Sequence, residues 1–278
     1  MTLLHAILLG LVQGLTEFLP VSSTAHLTLV EKLLVGRSMP LAYDVLLHVG
    51  TLLALVIYFR QDLLRMGRGL KGRDAEGQRL ALLLIVAMVP TGVFALLTRH
   101  YKEVAKEHIW LYGVFLLATA GLLFAANELA KRRKGRDLAQ INGWDALAVG
   151  TIQGLGGGFG LSRSGSTISI GVFRGLQLPA ATRFSFLLGI PTITLAALYE
   201  GKKLVLPLLR HQALPADLAF PVGSISPVLA CVVGVIVSAL SGYAAIGLLD
   251  RFTRRPRLHG FAGYCVLAGL FIIYIGLR

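Results

Sequence analysis

A carboxylate, hydroxyls and an imidazole fall within one apolar stretch, GLVQGLTEFLPVSSTAHL, over residues 10–27. Ionisable groups are costly in hydrocarbon, so such a cluster marks a functional site. Gln13 and Glu17 are four apart and share one face of a helix that must end near Pro20. Their oxygens could hold a hard divalent cation. Glu17 could equally serve as a general acid or base, or simply hydrogen-bond to a neighbouring helix. Beyond the break, Ser23 and His26 face each other on a helical start. His26 could take a serine proton or attack phosphorus itself, while Ser22 and Thr24 also read as N-caps. Asp44 and His48 are again four apart, and either orient the site or form a polar helix contact.

The stretch recurs. A shift of 140 residues sets residues 150–167, GTIQGLGGGFGLSRSGST, against residues 10–27 without a gap, and five of eighteen positions agree. The identities are Gly10/Gly150, Gln13/Gln153, Gly14/Gly154, Leu15/Leu155 and Ser22/Ser162. This is the mark of an internal duplication. In the second copy, SRSGST (Ser162, Arg163, Ser164, Gly165, Ser166, Thr167) follows a glycine run and opens a helix, whose first amides attract anions. Arg163 adds a planar fork suited to phosphate or carboxylate. Its ligand is either a phosphate or Glu17, reached across the repeat interface.

The elements that must position these residues are membrane elements. Of 278 residues, 55% are hydrophobic and only 15% charged, with a mean hydropathy of +0.72. A soluble domain carries about 25% charged residues. The net charge of +13 lies in short connections, with no basic stripe interleaved with aromatics, which argues against a nucleic-acid partner. Cys231 and Cys265 lie in apolar runs and read as inert packing residues. No basic leader or small-residue cleavage site precedes the first apolar run, so the mature chain is expected to start at Met1.

A crossing of about 30 Å needs about 20 apolar residues. Six stretches qualify: residues 41–59, 80–98, 110–130, 182–199, 226–249 and 260–277. Residues 2–36, broken at 20–24, and residues 144–180, broken by Gly156, Gly157, Gly158 and Gly160, suit re-entrant pairs. Such breaks are tolerated only when buried in protein or facing water. The expected fold is therefore a single all-α polytopic membrane domain over residues 1–278. Its repeats span approximately 1–130 and 144–278, each a re-entrant hairpin plus three transmembrane helices. Three spans per half invert the second half, giving an inverted-topology repeat whose breaks meet at depth. Connections 60–78, 131–143 and 250–258 carry fourteen of the Lys and Arg residues. The opposite side carries nine: Lys32, Arg37, Arg99, Lys102, Lys106, Lys202, Lys203, Arg210 and Arg278. The richer side is expected in the cytoplasm.

LVQGLTEFLPVSSTAHL and GFGLSRSGSTIS resemble the two signatures of the undecaprenyl-diphosphate phosphatase (bacitracin-resistance) family. YDVLLHVGTLLA and RFSFLLGIPTI resemble further family segments, in order along the chain. The resemblance implies a multi-pass enzyme of the bacterial cytoplasmic membrane that removes the terminal phosphate of undecaprenyl diphosphate at the outer, periplasmic face. It would thereby recycle the lipid carrier of cell-wall synthesis. By position, Glu17 with Gln13 match the family's (E/Q)-x-x-x-E pair, and Ser23 and His26 match its serine and histidine after the break. Glu17, Ser23, His26 and Arg163 are the expected catalytic groups, and Glu17 with Gln13 the expected ligands of a divalent cation, Mg2+ or Ca2+. Ser162, Arg163, Ser164, Gly165 and Thr167 match a phosphate-binding loop. Gln13 stands where many members have Glu, and Phe159 where Pro-Gly usually precedes the loop. The implied partners are a polyprenyl diphosphate and membrane lipid, with a homo-oligomer left open. A polyprenyl-phosphate transporter or flippase would share the architecture, but has no need of a nucleophile or base.

Overall fold

The computed structural model describes residues 2–36, 39, 41–209 and 226–278. Arg37 and Arg210, counted in the charge bias, lie outside the described residues. Eleven α-helices follow in order: α1 Leu3–Phe18, α2 Ser23–Val30, α3 Leu41–Tyr58, α4 Arg60–Leu70, α5 Ala75–Glu107 and α6 Trp110–Arg132, then α7 Gly143–Phe159, α8 Arg163–Phe173, α9 Leu178–Leu209, α10 Pro227–Thr253 and α11 His259–Gly276. Among the described residues there is no strand, only an isolated bridge between Arg136 and Leu176. This is an all-α polytopic membrane protein.

Among the described residues, five helices, on α5, α6, α9, α10 and α11, are long and apolar enough to cross a bilayer. They contain five of the six expected spans, and the helices carrying Pro90 and Pro191 run on without interruption. The sixth expected span, residues 41–59, coincides with α3, Leu41–Tyr58. The chain then bends by 74° into α4, and the two helices together are long and apolar enough for one bent span. The cause lies in the sequence of α4, RQDLLRMGRGL, where polar groups alternate with apolar ones on opposite faces. The bend lays that helix against α5 and lets buried Asp62 meet Arg183 at 2.6 Å.

α1 is 16 residues long, about 24 Å at about 1.5 Å per residue, and cannot cross alone. It stops at Pro20, and α2 begins at Ser23. α7 is similar, but its break is later than expected. Gly156, Gly157 and Gly158 are helical, and the turn comes at Gly160, whose φ of +80° closes the helix in a left-handed cap.

The repeated glycines Gly10/Gly150 and Gly14/Gly154 have a packing reason. α1 lies on α10, and α7 lies on α5. A Cβ at Gly10 would come 2.9 Å from the Gly234 carbonyl, and one at Gly154 would come 2.6 Å from the Thr91 carbonyl. At Gly150 the obstacle is the Ala87 carbonyl. α6 and α11 cross in the same way at Gly113 and Gly269. Small residues let helix backbones touch where hydrocarbon gives no hydrophobic drive. Gly150→Leu should therefore cost about 3 kcal/mol or more through overpacking. It should lower the melting temperature in detergent, while Gly121→Leu, with open space around its α-carbon, should not.

Candidate active site

The two breaks touch. Ser22 donates its hydroxyl to the Gly160 carbonyl at 3.1 Å, and Ser164 donates to the Leu19 carbonyl at 3.2 Å. Each hairpin thus caps a carbonyl that the other's break leaves open, as buried backbone requires. Cys265 of α11 donates to the Pro20 carbonyl at 3.3 Å, and the Thr119 hydroxyl of α6 accepts from the Ser162 amide at 3.3 Å. Both cysteines are free thiols.

Glu17 lies at this junction. It is buried, at the next-to-last residue of α1. Its Oε1 accepts from Arg163 Nη2 at 2.7 Å, and its Oε2 accepts from the Ser23 hydroxyl at 2.7 Å and from Gln13 Nε2 at 3.2 Å. His48 Nε2 lies 3.8 Å from Oε2. The groups that spacing alone suggested are therefore brought together, from residues 146 apart in the chain. The Gln13 and Gln153 amides do not pair with each other. Gln153 instead donates to Thr192 at 2.9 Å and Thr91 at 3.3 Å.

Ser22 is the non-glycine residue with a positive φ, 68°, among the described residues. This strained conformation turns the chain so that Ser23 Oγ points back at Glu17, and such outliers cluster at functional sites. His26 differs from expectation. It does not face Ser23, because its Nδ1 is 2.8 Å from the Ser22 carbonyl and its Nε2 is 2.7 Å from the Tyr264 hydroxyl. The carbonyl one turn back draws the ring along the helix. A carbonyl can only accept, so Nδ1 carries the proton and neutral Nε2 accepts from Tyr264. The two rings also stack, with centroids 5.6 Å apart. Sequence reading missed Tyr264. Its only signal is a phenol in an apolar run, whose hydroxyl needs a partner.

His48 is held by the backbone carbonyl of Asp44, which accepts from Nδ1 at 2.8 Å. It is thus the Asp44 main chain, rather than its carboxylate, that directs the imidazole toward Glu17.

In SRSGST the hydroxyls are committed to protein. Ser162 caps α8, accepting from the Gly165 amide at 3.2 Å. Gly165 lets α8 approach Thr119, whose methyl would lie 2.8 Å from an added Cβ. Thr167 donates to the Arg163 carbonyl at 2.7 Å and meets Ser185 Oγ of α9 at 2.6 Å. Within this loop, Arg163 is the side chain that turns into the junction.

The Bacitracin resistance protein BacA family matches residues 6–271. The chain belongs to this family. It is 40% identical over 276 residues to an undecaprenyl-diphosphatase of Syntrophotalea carbinolica, covering 97% of each chain. It is 38% identical over 293 residues to one of Desulfosudis oleivorans, covering 99% of each. One from Rubrobacter xylanophilus is 41% identical over 273 residues, covering 94% of each. Family membership thus extends over both hairpins and every helix that builds the junction.

Breaking a buried ion pair leaves one charge uncompensated, at a cost of about 3–5 kcal/mol. Glu17→Ala and Arg163→Ala should each lower stability by that order in chemical denaturation. The double variant should lose clearly less than the sum, because neither charge is then stranded.

Proposed function

We propose that the protein hydrolyses undecaprenyl diphosphate to undecaprenyl phosphate and inorganic phosphate. The observation that carries the reading is the Glu17 carboxylate, which gathers the Ser23 hydroxyl and the Arg163 guanidinium into one buried junction. We assign this junction to the outer side of the bacterial cytoplasmic membrane, between two inverted repeats.

Arg163 is the clamp. Its planar fork matches a phosphoryl group, and positioning with charge stabilisation supplies most of the catalysis in phosphoryl transfer. When the terminal phosphate takes Arg163, Glu17 loses its cation and is free to accept the Ser23 proton. The Ser23 oxygen then attacks the terminal phosphorus in line. The bond to the bridging oxygen breaks, and undecaprenyl phosphate leaves. Glu17 passes the Ser23 proton to the departing phosphate oxygen; water then attacks the phosphoserine, giving a proton to Glu17, which returns it to the Ser23 oxygen as phosphate leaves. The hydrogen bond from Ser23 to Glu17 supports this base over His26, which is engaged by Ser22 and Tyr264. A carrier of phosphorylated lipid would need no such hydroxyl–carboxylate pair.

Gln13 Oε1, buried without a hydrogen-bond partner, and Glu17 Oε1, the oxygen that Arg163 vacates, fit a hard divalent cation while Oε2 stays with Ser23. Among the described residues no group of three His, Cys, Asp or Glu forms a cage. The fit is therefore to Mg2+ or Ca2+ that takes its remaining ligands from the diphosphate and water. Bound there, it would offset the charge of the diphosphate.

Three outcomes test this reading in detergent, with release of phosphate from a polyprenyl diphosphate as the measure. Ser23→Ala and Arg163→Ala should abolish release, and near-normal turnover by either would refute its role. Arg163→Lys, which keeps the charge but loses the fork, should lower kcat about a hundred- to a thousandfold. EDTA should suppress release, and added Mg2+ or Ca2+ should restore it.

A further inference from the structure

The segment RFSFLLGIPTI forms part of α9, and Gly189 lies buried within it. Glycine inside a helix loses more backbone entropy than alanine. No cap or turn accounts for it, since α9 continues to Leu209. What surrounds Gly189 does account for it. A Cβ there would lie 2.5 Å from Arg163 Nη1, 3.2 Å from Cζ and 3.5 Å from Nη2. The nearest atoms are all of one guanidinium.

α8 and α9 meet in successive rungs. Thr167 Oγ1 meets Ser185 Oγ at 2.6 Å, and one turn earlier in α8 and one turn later in α9 Arg163 meets Gly189. The hydroxyl rung fixes the register, so the methyl-sized space at residue 189 falls opposite the guanidinium. Nη2 is tied to Glu17 at 2.7 Å. Nη1 is buried and has no hydrogen-bond partner, so shape rather than a bond fixes it. An unpaired buried donor is costly, and a phosphoryl oxygen would relieve it.

We propose that Gly189 is a positioning residue for phosphate binding. Its missing side chain is the slot that holds the Arg163 fork level with Glu17, with Nη1 left for the substrate phosphoryl group. The inference rests on Arg163 being the phosphate clamp.

The test is Gly189→Ala in the full-length protein, made both alone and together with Arg163→Lys, with kcat for phosphate release and melting temperature read in each. Lysine ends one atom short of Nη1 and does not enter the slot. Alone, Gly189→Ala should lower kcat roughly tenfold to a hundredfold, the scale of a misplaced catalytic group. Added to Arg163→Lys, it should change kcat by less than about twofold further. Gly121→Ala, in open space on α6, should change neither readout. A Gly189→Ala enzyme within twofold of wild type, or an equal loss with arginine and with lysine at position 163, would overturn the proposal. If Gly189→Ala alone fails to fold, recovery of folding in the double variant with Arg163→Lys supports the slot, and continued failure rejects it. Full activity of Arg163→Ala would instead remove the clamp reading, leaving the Gly189–Arg163 coupling in melting temperature to stand or fall by itself.

Discussion

One buried ion pair, Glu17 with Arg163, joins the two hairpins, and the rest of the molecule makes that pair tolerable. Both charges are largely removed from solvent, at 8% and 14% side-chain exposure, where neither could be held without the other. Their meeting requires that α1 and α7 both stop short, that both breaks be buried, and that the two breaks face each other. Ser22 and Ser164 meet the last requirement by crossing to each other's open carbonyls. Pro20 and the left-handed Gly160 meet the first, by ending α1 and α7. The glycines that bring α1 onto α10 and α7 onto α5 meet the second, by letting the short helices pack closely against long ones.

The two matching stretches form one junction rather than two, and the reason lies in three positions. Under the 140-residue shift Glu17 corresponds to Gly157, Ser23 to Arg163, and His26 to Ser166. Each hairpin therefore brings what the other lacks. The first supplies the carboxylate, the Ser23 hydroxyl and the imidazole; the second supplies the guanidinium. Positions identical in both stretches, such as Gly10/Gly150 and Ser22/Ser162, serve packing and the break itself. The shared positions hold the scaffold, and the differing ones carry the polar groups of the junction.

This division explains what could be read from the chain beforehand. Helix content, the broken hairpins and the meeting of residues 17 and 163 follow from apolar length, Pro20, the glycine run and the cost of ions in hydrocarbon. The end of the span near residue 59 was legible, but the helix α4 within the connection was not, because hydropathy does not report that its Asp62 meets Arg183 on a distant helix. The His26 partner was hidden for the same reason: Tyr264 lies 238 residues away, on an apolar face without periodic signal. In SRSGST the residue types announced anion binding, but small hydroxyls serve helix starts equally well. Only packing shows that Ser162, Ser164 and Thr167 are spent on the backbone.

That expenditure has a physical reason. At this depth a broken helix exposes amides and carbonyls that water cannot reach, and each must find a partner inside the protein. Ser162 satisfies the Gly165 amide, Ser164 satisfies Leu19, and Thr167 bonds back to the Arg163 carbonyl while fixing α8 against α9. With the backbone satisfied by short side chains, the loop's amides and carbonyls are bonded to those side chains rather than to the Arg163 guanidinium, whose Nη2 is tied to Glu17. On the mechanism proposed above, Arg163 exchanges that carboxylate for a phosphoryl group while the loop keeps its shape. A loop whose own amides depended on Arg163 would lose its shape each time the pair opened. On that reading the hydroxyls serve the function through the rigidity they give the loop.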